Sequence, residues 1–206
     1  MLRKRYLLIA LIIVIASACA TRKAHFASDY QQPGADSQKP EYSILFFGGA
    51  DESPDNSASA FQGLKQHMEK TQNGSLILLG NNGAKRGLPD STAARSSRKT
   101  KRMLEGKLSA IRSFKGDVFV VPGNHDWADG GKSGYQRVLR LEEFSKEYLG
   151  KNVLMPNNGC PGPYEVEIKD GLVFLFLNTQ WWLHEWEKGG PETGCEMEDE
   201  IGRAHV

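Results

Sequence analysis

The middle of the chain alternates short apolar runs with longer segments of helical spacing. Apolar runs of five or six residues, most of them closed by glycine or another turn signal, predict β-strands. These runs are residues 42–47, 75–79, 117–121, 164–168 and 172–177. Between the runs, apolar residues three or four positions apart, together with helix start and stop signals, predict helices over residues 57–70, 89–114 and 135–148. Strands and helices in alternation favour an α/β layered domain.

The first 40 residues have a different pattern. Cations near the N-terminus precede an apolar run over residues 6–16, which is too short to cross a ~30 Å hydrocarbon core comfortably. A charged start, a short apolar core and small residues after it predict an export signal over residues 1–18. Cys19 follows directly, and this arrangement resembles a bacterial lipoprotein cleavage site. We therefore expect an exported, lipid-anchored envelope protein with a polar tether over residues 19–40; a plain secreted protein and an uncleaved anchor are the alternatives.

Charge and cysteine content limit the partners and the covalent cross-links that the chain is expected to have. The 206 residues carry 26 Lys and Arg against 25 Asp and Glu, a net charge of +1. This balance gives no general case for nucleic acid as a specific partner or for binding to an anionic membrane surface. Three cysteines are too few for a disulfide scaffold, but Cys160 and Cys195 lie in turns of a chain predicted to be exported, where disulfides persist. We predict a disulfide between them; free thiols or a metal pair are the alternatives.

Three predicted strands end in polar residues, at positions 48–51, 80–83 and 123–127. In α/β domains the loops at the carboxyl ends of strands carry the chemistry. The most specific of the three is the sequence Gly-Asn-His-Asp-Trp at residues 123–127, directly after an apolar strand. Asn124 can ligate a metal through its carbonyl oxygen, and His125 can donate a proton or a hydrogen bond. Asp126 can set the tautomer of the neighbouring imidazole. A polar turn without function is the alternative.

These motifs resemble the calcineurin-like metallophosphoesterase family, in a branch related to purple acid phosphatases. The resemblance covers about residues 42–199 and includes residues 87–89, 122–127, 158–163 and 178–184. It implies a sandwich of two β-sheets flanked by helices, and hydrolysis of phosphate esters by two divalent ions (Fe, Mn or Zn). It further implies that Asn124 is a metal ligand, and that His125, held by Asp126, stabilises the transition state or protonates the leaving group.

The chain departs from the family at two metal positions. Gly49 stands where the family has a ligating Asp, and Asn81 stands where the family has the Asp that bridges both ions. An uncharged amide bridges two cations poorly, and at an effective dielectric constant of ~20 each lost contact is worth several kcal/mol. That is about a hundredfold or more in metal affinity. We therefore expect little or no activity; Asp51, two residues after Gly49, is an alternative donor.

The C-terminal residues add a second departure. The family's remaining metal ligands are histidines in later motifs, and nothing after Asp199 supplies them. Residues 201–206 match one in-frame translation of a common sequencing adapter, so we expect residues 200–206 to be non-native and residues 41–199 to form a partial domain. An ordinary tail is the alternative. Three interpretations stay open: a degraded phosphoesterase, a pseudoenzyme that acts as a binding or structural module, and a non-functional fragment.

Several other residues favour structural roles. A basic stretch over residues 85–102 predicts a solvated helix face, with a rim that attracts phosphate as the alternative. Trp181 and Trp182 are predicted to lie in the core or at its rim, with a substrate platform as the alternative. His67 and His184 are predicted to be ordinary surface or packing histidines.

Overall fold

The computed structural model of the chain describes residues 40–48, 54–83 and 86–195. Strands and helices alternate along them in the order β1 (Ser43–Gly48), α1 (Pro54–Lys70), β2 (Gly74–Leu79), α2 (Ala94–Ile111), β3 (Asp117–Val121), α3 (Gly134–Leu149), β4 (Tyr164–Lys169), β5 (Leu172–Phe176) and α4 (Thr179–Leu183). Eight of these elements lie within a few residues of their predicted positions. The short helix α4 was not predicted, because one and a half turns leave too little periodicity to detect.

Strands β1, β2 and β3 form a parallel sheet in that order. Parallel neighbours need a crossover between them, and α1 and α2 supply it. Leu154 extends the same sheet beyond β3, where the amide of Val120 donates to the carbonyl of Val153 at 2.7 Å and the amide of Met155 donates to Val120 at 2.8 Å. Strands β4 and β5 form a separate antiparallel hairpin. The fold is therefore α/β, with a parallel three-stranded sheet and a second small sheet flanked by helices.

The two faces of the parallel sheet pack against different partners. On one face, alternate strand residues join the helices in the main core, which includes Leu76, Leu78, Val118, Val120, Leu104, Leu108, Ile111, Val138 and Leu141. On the other face, Ile77 and Phe119 pack against the hairpin. The Phe119 ring lies 5.0 Å from the Phe176 ring and 5.8 Å from the Phe174 ring, measured between centroids. The period-two pattern of the strands thus separates a helix side from a sheet side.

A disulfide joins Cys160 to Cys195, with 5.4 Å between the two Cα atoms, and confirms the predicted pairing. It ties the segment before β4 to the last described residue. Trp181 is buried nearby and its indole N–H donates to the carbonyl of Gly189 at 2.9 Å, whereas Trp182 is 40% exposed. The interpretation of these two tryptophans as core and rim residues is therefore confirmed.

Among the described residues, no helix combines the length and the apolar character that crossing a bilayer requires. The predicted signal and most of the predicted tether, with the predicted lipidation site Cys19, lie outside the described residues. So do Gly49, Asp51 and the segment 200–206 that we predicted to be non-native.

Candidate functional site

The loops after β2 and β3 lie side by side at the carboxyl edge of the parallel sheet. Glycine is required where their backbones touch. A Cβ atom on Gly80, whose φ is +61°, would lie 2.8 Å from the Cα of Gly123. A Cβ atom on Gly123 would lie 2.8 Å from the amide nitrogen of Asn81. The structure thus brings two of the three predicted polar strand ends together.

Asn81 connects the two loops directly. Its φ of +52° lies in the left-handed region, which asparagine tolerates better than most residues. The side-chain Oδ1 atom accepts a hydrogen bond from the backbone N–H of His125 at 3.2 Å. The backbone carbonyl of the same residue accepts a hydrogen bond from the Lys107 ammonium of α2, also at 3.2 Å. The amide oxygen predicted as a degraded metal ligand is therefore engaged within the protein, with a cation close by.

Asp126 has a different role from the one predicted. Its carboxylate is 1% exposed and accepts hydrogen bonds from the backbone N–H groups of Gly123 at 2.9 Å, Asn82 at 3.0 Å and Gly83 at 3.3 Å. The side-chain amide of Asn82 adds a fourth donor at 3.1 Å. Burial raises the pKa of Asp126, while these hydrogen bonds act in the opposite direction. The predicted contact with the His125 ring is wrong, because this carboxylate points into the junction of the two loops and ties them together.

Asp129 takes the place beside the imidazole that was predicted for Asp126. Its Oδ1 atom lies 3.6 Å from Nε2 of His125 and accepts a hydrogen bond from the side chain of Asn124 at 3.1 Å. The amide of Asp129 donates to the carbonyl of Asn124 at 2.8 Å, which closes the loop. Ala128 and Asp129 both have left-handed φ values, +56° and +53°. The only sequence signal for this contact was an acidic residue four positions after the histidine.

The segment around Gly87 packs on the back of the same loop. The φ of Gly87 is +65°, and a Cβ atom there would lie 2.7 Å from the carbonyl oxygen of Asp126. Arg140 of α3 donates to the carbonyl of Leu88 at 3.0 Å and so holds the segment against the helix. The glycine of the motif at residues 87–89 is thus needed for close backbone approach.

His184 lies behind the loop, where it is 1% exposed and its ring centroid is 4.8 Å from that of Trp127. It is a packing residue, as predicted. Burial lowers the pKa of His184, and the nearby Lys188 ammonium lowers it further, while the backbone at Glu187 opposes the shift. The neutral imidazole is therefore the form that the folded protein accommodates.

This histidine should make the protein less stable in mild acid. Because its pKa is lower in the folded state than the unperturbed value of about 6.5, the unfolded chain takes up the proton first as the pH falls. The stabilising contribution is thus present above about pH 6.5 and is lost below it, so we expect the free energy of unfolding to fall between about pH 7.5 and 5.5. Urea unfolding at a series of pH values measures it.

The variant His184→Phe keeps a ring of similar size and should lose this pH dependence. The exposed His67 of α1 provides the control, since His67→Gln should leave the dependence unchanged. If His184→Phe unfolds with the same pH dependence as the wild type, the assignment to His184 is wrong.

The polar side chains at the two strand ends already have partners within the protein. The Asp126 carboxylate accepts hydrogen bonds from N–H donors of both loops, and the Oδ1 atom of Asn81 accepts a hydrogen bond from the His125 backbone N–H. The Lys107 ammonium places a positive charge beside the strand end where two cations would be needed. Within residues 40–48, 54–83 and 86–195, no three His, Cys, Asp or Glu side chains lie close enough together to hold a metal ion.

Comparison with known proteins adds no relative: no family model, curated protein or solved structure matches this chain.

Proposed function

We propose that this chain is a degenerate metallophosphoesterase, a phosphate-ester hydrolase by descent that has little or no turnover of its own. One observation carries the proposal. The hydrogen bond from the His125 amide to the Asn81 side chain joins the two strand-end loops at which the family resemblance was found. The packing of the β4–β5 hairpin against the parallel sheet also agrees with a two-sheet sandwich.

The same contacts favour binding over hydrolysis. Asn124 and His125 lie on a partly exposed loop and offer an amide and an imidazole to phosphate oxygens. Asp129 beside the ring favours the tautomer that points an N–H toward it. Because the bridging carboxylate is replaced by Asn81, the site has lost the anionic oxygen that a metal pair requires. A pseudoenzyme that binds phosphate esters is therefore the second candidate function.

The proposal includes attachment to the cell envelope through a lipid on Cys19. The pattern of residues 1–18 supports export. The disulfide between Cys160 and Cys195 agrees with it, because such bonds persist in oxidising compartments and are rare in the cytosol.

Restoring the two missing carboxylates tests whether their replacement accounts for the loss of metal binding and hydrolysis that we propose. We expect the double variant Gly49→Asp with Asn81→Asp to bind Mn²⁺ at least about a hundredfold more tightly than the wild type, because two anionic ligands return to the site. Calorimetric titration with Mn²⁺ and hydrolysis of p-nitrophenyl phosphate measure binding and activity. The wild type should show little or no hydrolysis with Mn²⁺, Zn²⁺ or Fe.

An uncharged variant distinguishes the effect of ligand charge on Mn²⁺ affinity from the effect of side-chain volume. Gly49→Asn in the wild-type background places amides at both positions, with nearly the same volume as the double carboxylate, and should bind Mn²⁺ no better than the wild type. Efficient metal-dependent hydrolysis by the wild type would contradict the proposal. Equal Mn²⁺ affinity of the double Asp variant and the wild type would show that the site has changed beyond these two positions.

A further inference from the structure

Helix α2 presents four cations on one exposed face. Arg95, Arg98, Lys99 and Arg102 occupy positions i, i+3, i+4 and i+7, which share one side of an α-helix, and together with Met103 they line a shallow surface depression. We call these four residues the basic stripe. The residues of α2 that are buried in the core, which include Ser97, Thr100, Leu104, Leu108 and Ile111, lie on the opposite side of the helix. The basic stripe therefore faces directly away from the protein.

No ion pair within the described part of the chain involves the basic stripe. Glu105 is the first acidic residue of α2, and Glu143 and Glu147 of α3 line a different depression, beside Lys101. Lys101 itself lies 5.7 Å from the Phe144 ring centroid. These two acidic side chains of α3 thus lie beside Lys101, and Glu105, three positions after the end of the basic stripe, forms no ion pair with it in the described part of the chain.

The basic stripe works against the folding of its own helix. Like charges three and four residues apart repel, and cations near a helix N-terminus oppose the helix dipole. The N-terminus of α2 has no compensation, because Ala93 at the cap position makes no side-chain hydrogen bond and the first turn contains no acidic residue. An arrangement of charges that lowers the stability of a helix and adds nothing to its packing is expected where a protein binds a partner.

We propose that the basic stripe docks the domain onto an anionic phospholipid surface. The stripe is exposed and the depression that it lines is shallow and open, so it suits a flat array of phosphates better than a compact ligand, which a deep pocket would enclose. No aromatic residue is interleaved with the four cations, as stacking on single-stranded nucleic acid would require. The net charge of the whole chain is only +1, so the attraction comes from this face and not from the protein as a whole.

The predicted lipid at Cys19 adds to this contact. A tether from residue 19 to residue 40 would span at most about 75 Å if it were fully extended. A lipid anchor combined with a basic patch is a recurrent pair of signals for stable membrane attachment. The proposal about the basic stripe is independent of the phosphate-ester site and of its metal ligands.

Binding of the full chain to vesicles tests the proposal. The wild type is compared with a stripe variant, Arg95→Gln, Arg98→Gln, Lys99→Gln and Arg102→Gln, and both carry the same N-terminus. On phosphatidylcholine vesicles that contain about 30% phosphatidylglycerol, we expect the stripe variant to bind at least about 50-fold more weakly than the wild type. On pure phosphatidylcholine vesicles the two should bind equally. The difference should shrink when salt is raised from about 0.05 M to 0.5 M.

A second variant matches the change in charge. It replaces four exposed lysines that lie apart from the basic stripe, Lys65, Lys70, Lys115 and Lys151, with glutamine. This control should bind anionic vesicles within about threefold of the wild type, because its remaining cations include the whole stripe. Equal losses in the two variants would overturn the proposal, since net charge alone would then explain the binding.

Two further measurements complete the test. We expect the melting temperature of the stripe variant to rise by about 2–4 °C, because the repulsion within α2 is removed; a fall would show that the stripe serves folding. Binding of single-stranded RNA is measured alongside. If the wild type binds RNA through the stripe but does not bind anionic vesicles, the partner is a nucleic acid and the proposal is wrong.

Discussion

Replacing Asp126 with alanine is expected to lower the free energy of unfolding by about 3–5 kcal/mol. The carboxylate is buried and accepts hydrogen bonds from three backbone N–H groups and one side-chain amide, which come from the loops after both β2 and β3. Alanine would leave these donors without an acceptor in a region that water does not reach. Urea unfolding followed by tryptophan fluorescence measures the loss, since Trp127 lies in the next position.

Two controls accompany this variant. Asp117 begins the same strand that leads to the loop, but its side chain is exposed, so Asp117→Ala should change the free energy of unfolding by no more than about 0.5 kcal/mol. Asp126→Asn keeps one acceptor oxygen and places an NH₂ group against the other donors. Its free energy of unfolding should therefore lie between those of the wild type and Asp126→Ala. A loss of less than about 1 kcal/mol in Asp126→Ala would contradict the structural role that we assign to this carboxylate.

Removing the disulfide is expected to cost about 3–4 kcal/mol. Cys160 and Cys195 are separated by 35 positions, and the bond restricts the unfolded chain over that loop. The double variant Cys160→Ser with Cys195→Ser should therefore unfold at a lower urea concentration than the wild type. A reducing agent should shift the wild type toward the variant and should not affect the variant.

The third cysteine supplies the matched control. Cys19→Ser changes a cysteine outside the bridge and should leave the unfolding curve of the described domain unchanged. If the double serine variant were as stable as the wild type, the loop would be closed by packing alone. Trp181, which is buried and donates a hydrogen bond to Gly189 within that loop, would contribute to this packing.

The order of strands and helices could be predicted from local pattern alone. The runs around Leu76 and Val118 are short, apolar and closed by glycine or proline, and the segment from Tyr135 has an apolar residue on every turn. Periodicity of this kind depends only on neighbours in sequence, which is why the predicted bounds agree with β2, β3 and α3. The disulfide was predictable for a similar reason, because two cysteines in turns of a chain predicted to be exported have few alternatives.

The roles within the candidate site were harder to predict. Asp126 follows His125 directly, and adjacency in sequence suggested that the two side chains interact. The loop conformation turns the Asp126 carboxylate inward to Asn82, Gly83 and Gly123 and leaves Asp129 beside the imidazole. Left-handed backbone angles at Ala128 and Asp129 are part of this conformation, and nothing in the sequence predicts them at these two positions.

The sequence by itself determined the α/β alternation, the strand ends at which polar residues gather, and the spacing of four cations along α2. Tertiary structure alone decided which carboxylate is buried and which face of α2 meets solvent. It also decided that the β4–β5 hairpin covers Ile77 and Phe119. The physical reason is the range of the interactions: periodicity and turn preference act between neighbours, whereas burial and hydrogen bonding between loops depend on residues some 40 positions apart that meet only when the sheet has formed.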